Sequence, residues 1–217
     1  MKKRNSITGL LLYSYHATRG TTLLILAVWI LHGFIMLVTG DARIFPNLTG
    51  FGIVTISCSF MLCAHKDNST QWNKCQLAMP IKRSDVITSK FLSQLFLMLV
   101  AITLIATFVG LSMVFHESIK EVVRNTSLIV TSSSIGISLV ACALFYPIIY
   151  TIGENKEEVI IIFCILGGAA INLFILVMGE TLNFSNITSA ALCIIISVAL
   201  FGISYVITKK IYAKKDL

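Results

Sequence analysis

Val159-Ile-Ile-Ile-Phe163-Cys-Ile-Leu-Gly167-Gly168-Ala-Ala-Ile-Asn172-Leu-Phe-Ile-Leu-Val-Met178 runs for 20 residues without one charged side chain. A helix of about 20 residues rises ~30 Å, the thickness of a bilayer's hydrocarbon core, so this stretch reads as a membrane span. Working outward, five more apolar stretches of similar length stand at 20–39, 48–64, 91–115, 128–150 and 188–207. The second is the shortest and carries Gly50, Gly52, Ser57 and Ser59. With 56% hydrophobic and only 12% charged residues in 217, and a mean hydropathy of +0.88, the chain has too little polar surface to cover a soluble globule. The expected fold is all-α: a polytopic membrane protein of six transmembrane helices forming one domain over 1–217.

Lys and Arg collect in short cytoplasmic loops. Placing the N-terminus inside puts Lys2, Lys3, Arg4, Arg19, Lys66, Lys74, Lys82, Arg83, Lys90, Lys156, Lys209, Lys210, Lys214 and Lys215 inside, which is 14 of the 17 basic residues. Arg43, Lys120 and Arg124 fall outside. Both termini are therefore expected in the cytoplasm. The net charge of +7 follows from this topology and from anionic headgroups, with no need for a nucleic-acid partner. Met1-Lys-Lys-Arg looks like the start of a signal peptide, but no small-residue cleavage site follows the first apolar run, and that span is read as retained.

Before the first span, residues 5–19 can place Ile7, Leu10, Leu11, Ser14 and Ala17 on one helical face, which suits an interfacial helix on the inner leaflet. Between the second and third spans lies a polar, Pro-broken island at 65–90. Its core is Gln76-Leu-Ala-Met-Pro80-Ile-Lys-Arg83-Ser-Asp85-Val-Ile-Thr-Ser-Lys90-Phe91-Leu92. Pro80 must end a short helix carrying Trp72, Cys75 and Met79. Ser84 can cap the next helix, with Asp85 in its first turn where the dipole favours a carboxylate. That helix runs on into the third span, giving a lever below the membrane. In the fourth span, Ser132/Gly136 and Ser134/Ser138 have the small-residue spacing that lets helices approach closely, as do Ala106/Gly110 in the third. Pro147 should kink the fourth span near its inner end.

Catalytic signals are sparse. There is no phosphate-binding loop of the G-x-x-x-x-G-K-[ST] type, so nucleotide energy must enter through another chain. The six cysteines form no C-x-x-C pair and read as packing residues. Glu157-Glu158 could activate water in an intramembrane hydrolase, but the Arg and the facing histidines such enzymes need are missing. His32 and Asn172 are the polar residues deepest in the spans, where polar groups are costly and mark either a path or an interhelical contact.

The island resembles the loop motif of ABC-2 family permeases, the membrane subunits of bacterial ABC exporters. Pro80, Arg83, Asp85, Lys90 and Phe91 match it in register. The second loop, Pro147-Ile-Ile-Tyr150-Thr-Ile-Gly153-Glu154-Asn-Lys156, is similar to the family's segment after the fourth span, while Glu157-Glu158 and Met79 depart from the family pattern. The resemblance implies a permease subunit with no cofactor of its own. It pairs with a second permease, identical or sister, and with cytosolic ABC ATPases that bind ATP and Mg. It further implies that 65–90 is the coupling element and 5–19 an elbow helix. Trp72, Leu77, Met79, Pro80, Lys82, Arg83 and Asp85, with Glu154 and Lys156, would then contact the ATPase. His32, Ser134, Ser138 and Asn172 are the candidates for the translocation path. The cargo implied is a peptide, antibiotic or lipid, exported across the bacterial cytoplasmic membrane. The alternatives are an intramembrane hydrolase using Glu157 and Glu158, and a stand-alone secondary transporter or channel.

Overall fold

A computed structural model describes residues 5–62, 82–152 and 157–214. Six helices long and apolar enough to cross a membrane account for nearly all of them, and no strand occurs among the described residues. They are α1 (Asn5–Thr39), α2 (Ile44–Cys58, extended by a 3-10 turn Ser59–Met61), α3 (Arg83–Phe115), α4 (Glu117–Ile152), α5 (Glu157–Thr181) and α6 (Asn186–Ala213). The protein is a multi-pass membrane protein.

Each helix reaches beyond its apolar stretch, because backbone hydrogen bonding continues until something stops it. In α1 nothing does: Ala17-Thr18-Arg19-Gly20-Thr21 contains no proline, and a lone Gly costs only about 1 kcal/mol. Residues 5–19, expected as a separate interfacial helix, are thus continuous with the first span. At ~1.5 Å per residue the 35 residues of α1 span about 52 Å, well beyond a ~30 Å core. A stripe at Leu10, Ser14, Thr18 and Thr22 is buried, so this extension packs on the bundle. Pro46 lies in the first turn of α2, where its missing N–H would have had no partner. α4 runs through Pro147 without interruption.

The third span begins earlier than Ser84 would set it. Lys82, in extended conformation, is the N-cap residue and makes no side-chain cap. Ser84 Oγ instead donates to Asp85 Oδ1 (3.3 Å), while Asp85 does occupy the first turn. The cap geometry that sequence suggests for Ser84 is found at α6, where Ser185 Oγ accepts from the Thr188 N–H (3.2 Å).

Two apolar clusters mark the two ends of the bundle. One gathers Leu10, Met61, Ile87, Phe91, Phe145, Tyr146, Tyr150, Ile160 and Tyr212. The other gathers Met36, Phe45, Leu48, Ile105, Val109, Ile119 and Val123. Successive helices therefore run in alternating directions, and Leu10 and Tyr212 bring the two ends of the described chain to the same end of the bundle. α4 is the hub, packed on α6, α5 and α2, while α3 packs on α1, α2 and α6.

Backbones approach closely at glycines. A Cβ on Gly168 would lie 2.8 Å from the Ile137 carbonyl oxygen and 3.1 Å from the Ala141 nitrogen, so α5 rests on the α4 backbone itself. Gly136 of α4 leaves room for the Asn172 carboxamide oxygen and for Ser197 Oγ. At Gly110, by contrast, an added Cβ meets nothing within 4 Å among the described residues, and Ala106 is exposed beside it. At the opposite end of the bundle, Gly40 adopts φ +65 after α1, and the His116 ring occupies the place a side chain would take. His116 Nε2 is 2.9 Å from the Leu37 carbonyl oxygen, closing that corner.

Candidate functional site

The first turns of α3 carry the described part of the island. Lys82 is exposed, and Arg83 and Asp85 are half-buried. Arg83 Nη1 donates to the Ala213 carbonyl oxygen (2.9 Å), at the last turn of α6. A cation there also complements the negative end of the α6 dipole. One to two turns on, Val86, Ile87 and Phe91 are almost wholly buried, and Lys90 is buried with them.

Phe91 fills an aromatic box. Its ring centroid lies 4.7 Å from that of Tyr146, 4.9 Å from Phe201 and 5.3 Å from Tyr205. Such pairs contribute about 0.5–1.5 kcal/mol each beyond their area burial. Thr88 Oγ1 and the Tyr205 hydroxyl are 3.0 Å apart, tying α3 to α6 a second time. Lys90 Nζ sits 5.8 Å from the centre of the Tyr150 ring, within cation–π range, and Tyr150 packs edge-on against Tyr212 at 5.2 Å. The Lys90-Phe91 pair of one loop motif is thereby seated on Tyr146 and Tyr150, which flank and belong to the other. Two segments some 55 residues apart in sequence (Lys90 and Phe91, Tyr146 and Tyr150) become one structural joint.

Tyr146, Tyr205 and Tyr212 escaped the sequence reading as site residues, and Glu157, considered there only for a hydrolase, is buried. The signal was there: Tyr146 and Tyr150 are one turn apart, and Phe201, Tyr205, Thr208 and Tyr212 follow one helical face. Trp72, Leu77, Met79, Pro80, Glu154 and Lys156 lie outside the described residues.

Above the joint a polar seam crosses the bundle. The Ser138 and Ser57 hydroxyls are 2.5 Å apart, linking α4 to α2. Ser204 Oγ donates to the Ala143 carbonyl oxygen (2.6 Å), linking α6 to α4. Ser134 Oγ turns back to the Val130 carbonyl oxygen of its own helix. Asn172 Nδ2 donates to the Gly168 carbonyl oxygen (2.9 Å), and its Oδ1, turned to Gly136, has no hydrogen-bond partner among the described residues. Ser134, Ser138 and Asn172 are all buried, so in this conformation they make contacts between or within helices. His32 stands apart on α1, its ring edge-on to Trp29 at 5.4 Å.

Glu157 is buried whereas Glu158 is exposed, so the two carboxylates do not face a common volume. No group of three His, Cys, Asp or Glu able to hold a metal ion occurs among the described residues.

A family model described as "ABC-2 family transporter protein" matches residues 9–213. No curated protein and no solved structure matches the chain.

Proposed function

The chain belongs to the ABC-2 family of transporter membrane proteins, and from that premise we propose that it is the permease subunit of an ATP-driven exporter, coupled to its ATPase through the base of α3. Membership of the family implies association with an ABC ATPase; the coupling route is our reading of the joint described above. The observation that carries it is the seating of Lys90 and Phe91 on Tyr146, Tyr150 and Tyr205.

A helix of 33 residues is about 50 Å long at ~1.5 Å per residue and resists bending far better than a loop. Force applied by an ATPase to 65–85 would enter α3 at Arg83 and meet the aromatic box two turns later. There it would pass to α4 and α6, which hold the other faces of the Phe91 ring. On this reading Trp72, Leu77, Met79 and Pro80 supply the apolar centre of the ATPase contact. Lys82, Arg83 and Asp85, with Glu154 and Lys156, form its polar rim. ATP and Mg are bound by the ATPase, not by this chain.

The end of the bundle carrying Lys82, Arg83, Lys209, Lys210 and Lys214 faces the cytoplasm, by the rule that basic residues stay inside, and both termini go with it. The membrane is the bacterial cytoplasmic membrane, and a second permease, identical or sister, completes the transporter. The polar seam of Ser134, Ser138 and Asn172, and His32 separately on α1, border the translocation path once the helices separate. The cargo class that suits the family is a peptide, antibiotic or lipid.

The test is retrieval from native membranes. Affinity-tagged full-length chain, solubilised in mild detergent, is expected to bring down an ATPase with phosphate-loop and signature motifs in near-stoichiometric amount. Ion or proton flux through the purified chain alone in liposomes, with no ATPase recovered, would establish the secondary-transporter alternative.

A further inference from the structure

Lys209 is exposed near the end of α6 and has no carboxylate partner among the described residues. Its ammonium lies 5.9 Å from the centre of the Tyr205 ring, at the edge of cation–π range, so the ring fixes where the charge stands without neutralising it. Tyr205 is itself held, its hydroxyl 3.0 Å from Thr88 Oγ1 of α3. Arg83 brings a second cation to this corner. Its Nη1 donates to the Ala213 carbonyl oxygen, and Ala213 stands four residues after Lys209 on the same helical face. Against these two charges α6 offers nothing, since no acidic residue occurs in its 28 residues. Asp85, in the first turn of α3, accepts from Ser84 and makes no ion pair with Lys209.

Deeper along α6 the same face turns apolar and shallow. Gly202, Val206, Lys209 and Ala213 follow one another at helical spacing, and all four are exposed. A Cβ at Gly202 would meet nothing within 4 Å, so the missing side chain leaves an open notch two turns, about 10 Å, from Lys209. A fixed cation at the polar edge and an apolar notch below it match the upper part of a phospholipid. A soluble anion has no use for the notch.

We propose that this corner of α3 and α6 holds one anionic phospholipid of the cytoplasmic leaflet, its phosphate between Lys209 and Arg83 and an acyl chain laid over Val206 and Gly202. Charge complementarity sets the headgroup class, and the notch selects a lipid over a free phosphate. Once bound, the lipid adds a third link between α3 and α6, beside Thr88–Tyr205 and Arg83–Ala213. The leaflet follows from the orientation proposed above; the site itself stands whether or not an ATPase meets the base of α3.

The experiment titrates the delipidated, detergent-purified full chain with phosphatidylglycerol and with phosphatidylcholine and reads bound lipid by native mass spectrometry. Phosphatidylglycerol is expected to bind at least tenfold more tightly. One lysine beside an anionic headgroup strengthens attachment roughly fivefold, so Lys209→Gln is expected to weaken phosphatidylglycerol binding by about that factor. Lys210→Gln and Lys214→Gln, about 100° and about 140° around α6 from Lys209, are expected to weaken it less than twofold. Gly202→Phe leaves the charge unchanged but fills the notch, and is expected to cost at least threefold. All these positions are exposed, and melting temperatures within a few degrees of the unsubstituted chain are expected, so the losses are read on folded protein. Equal losses at 209, 210 and 214 would mean diffuse surface charge and overturn the site, as would equal affinity for the two lipids. Displacement of the lipid by millimolar inorganic phosphate, with Gly202→Phe without effect, would overturn the assignment to a lipid.

Discussion

Gly168→Val is expected to abolish the folded state of the purified protein. The cause is the 2.8 Å and 3.1 Å separations between a Cβ at this position and the Ile137 oxygen and Ala141 nitrogen of α4. Both obstacles are backbone, so no rotamer change relieves them and α5 must move away from α4. Overpacking costs about 1–3 kcal/mol where side chains can yield; here both obstacles are backbone, and the cost is higher. In a membrane, where lipid contacts replace those of a displaced helix without a hydrophobic penalty, little opposes the separation. One turn further along, the Asn172 contact with Gly136 would open as well, exposing a carboxamide to hydrocarbon. Size-exclusion chromatography after detergent extraction should show Gly168→Val as aggregate and Gly168→Ala as partly folded. Gly110→Val, at a position with nothing within 4 Å, should remain monodisperse. Equal behaviour of the variants at 110 and 168 would mean that the α4–α5 approach is not structural.

Phe91→Ala is expected to have the largest effect on function while leaving insertion intact. Removing a buried phenyl ring costs about 3–5 kcal/mol, and here it empties the box formed by Tyr146, Phe201 and Tyr205. α3 would keep its length and its upper contacts with α1 and α2, so the chain should still reach the membrane. What it loses is the aromatic packing of α3 on α4 and α6, with only the polar links of Arg83 to Ala213 and Thr88 to Tyr205 and the Lys90–Tyr150 contact left at this joint. The ATPase should still bind and hydrolyse ATP, yet export in reconstituted vesicles should fall at least tenfold. Phe91→Tyr, which retains the ring, should restore most of it. Export that survives Phe91→Ala would place the coupling route elsewhere than in the aromatic box.

The membrane class was legible because the Val159–Met178 stretch leaves no other physical option: a charge-free run of that length cannot be covered by the rest of a small chain. The directions of the spans were legible from their charges only as an expectation. The alternation itself is visible in the two end clusters. What sequence could not give was contact. Hydrophobic patterning says little about which helices touch inside lipid, because every face is apolar. Small residues decide approach there, and they do so one face at a time. Gly136 and Ser138 were grouped in one small-residue stretch, yet one admits Asn172 and the other bonds Ser57. The Ala106/Gly110 pair has the same spacing, yet both residues are exposed among the described helices. The continuity of α1 was hidden by its polar first turns, since a change in polarity suggests a boundary that helix hydrogen bonding ignores. The motif residues Lys90 and Phe91 stood out in the sequence as the base of the third span; only the fold shows that they are core residues, buried against tyrosines from two other helices.

The most direct test of coupling through the base of α3 uses the full chain expressed with its ATPase and carrying Trp72→Ala with Arg83→Glu. On the proposed coupling route these changes remove an apolar anchor and reverse a rim charge; they also break the exposed Arg83–Ala213 hydrogen bond but leave the aromatic box in place. The double variant should keep a melting temperature within a few degrees of the unsubstituted chain but retain at least tenfold less ATPase, and cargo-stimulated hydrolysis should disappear. A folded double variant that binds the ATPase fully, with stimulation undiminished, would contradict the account.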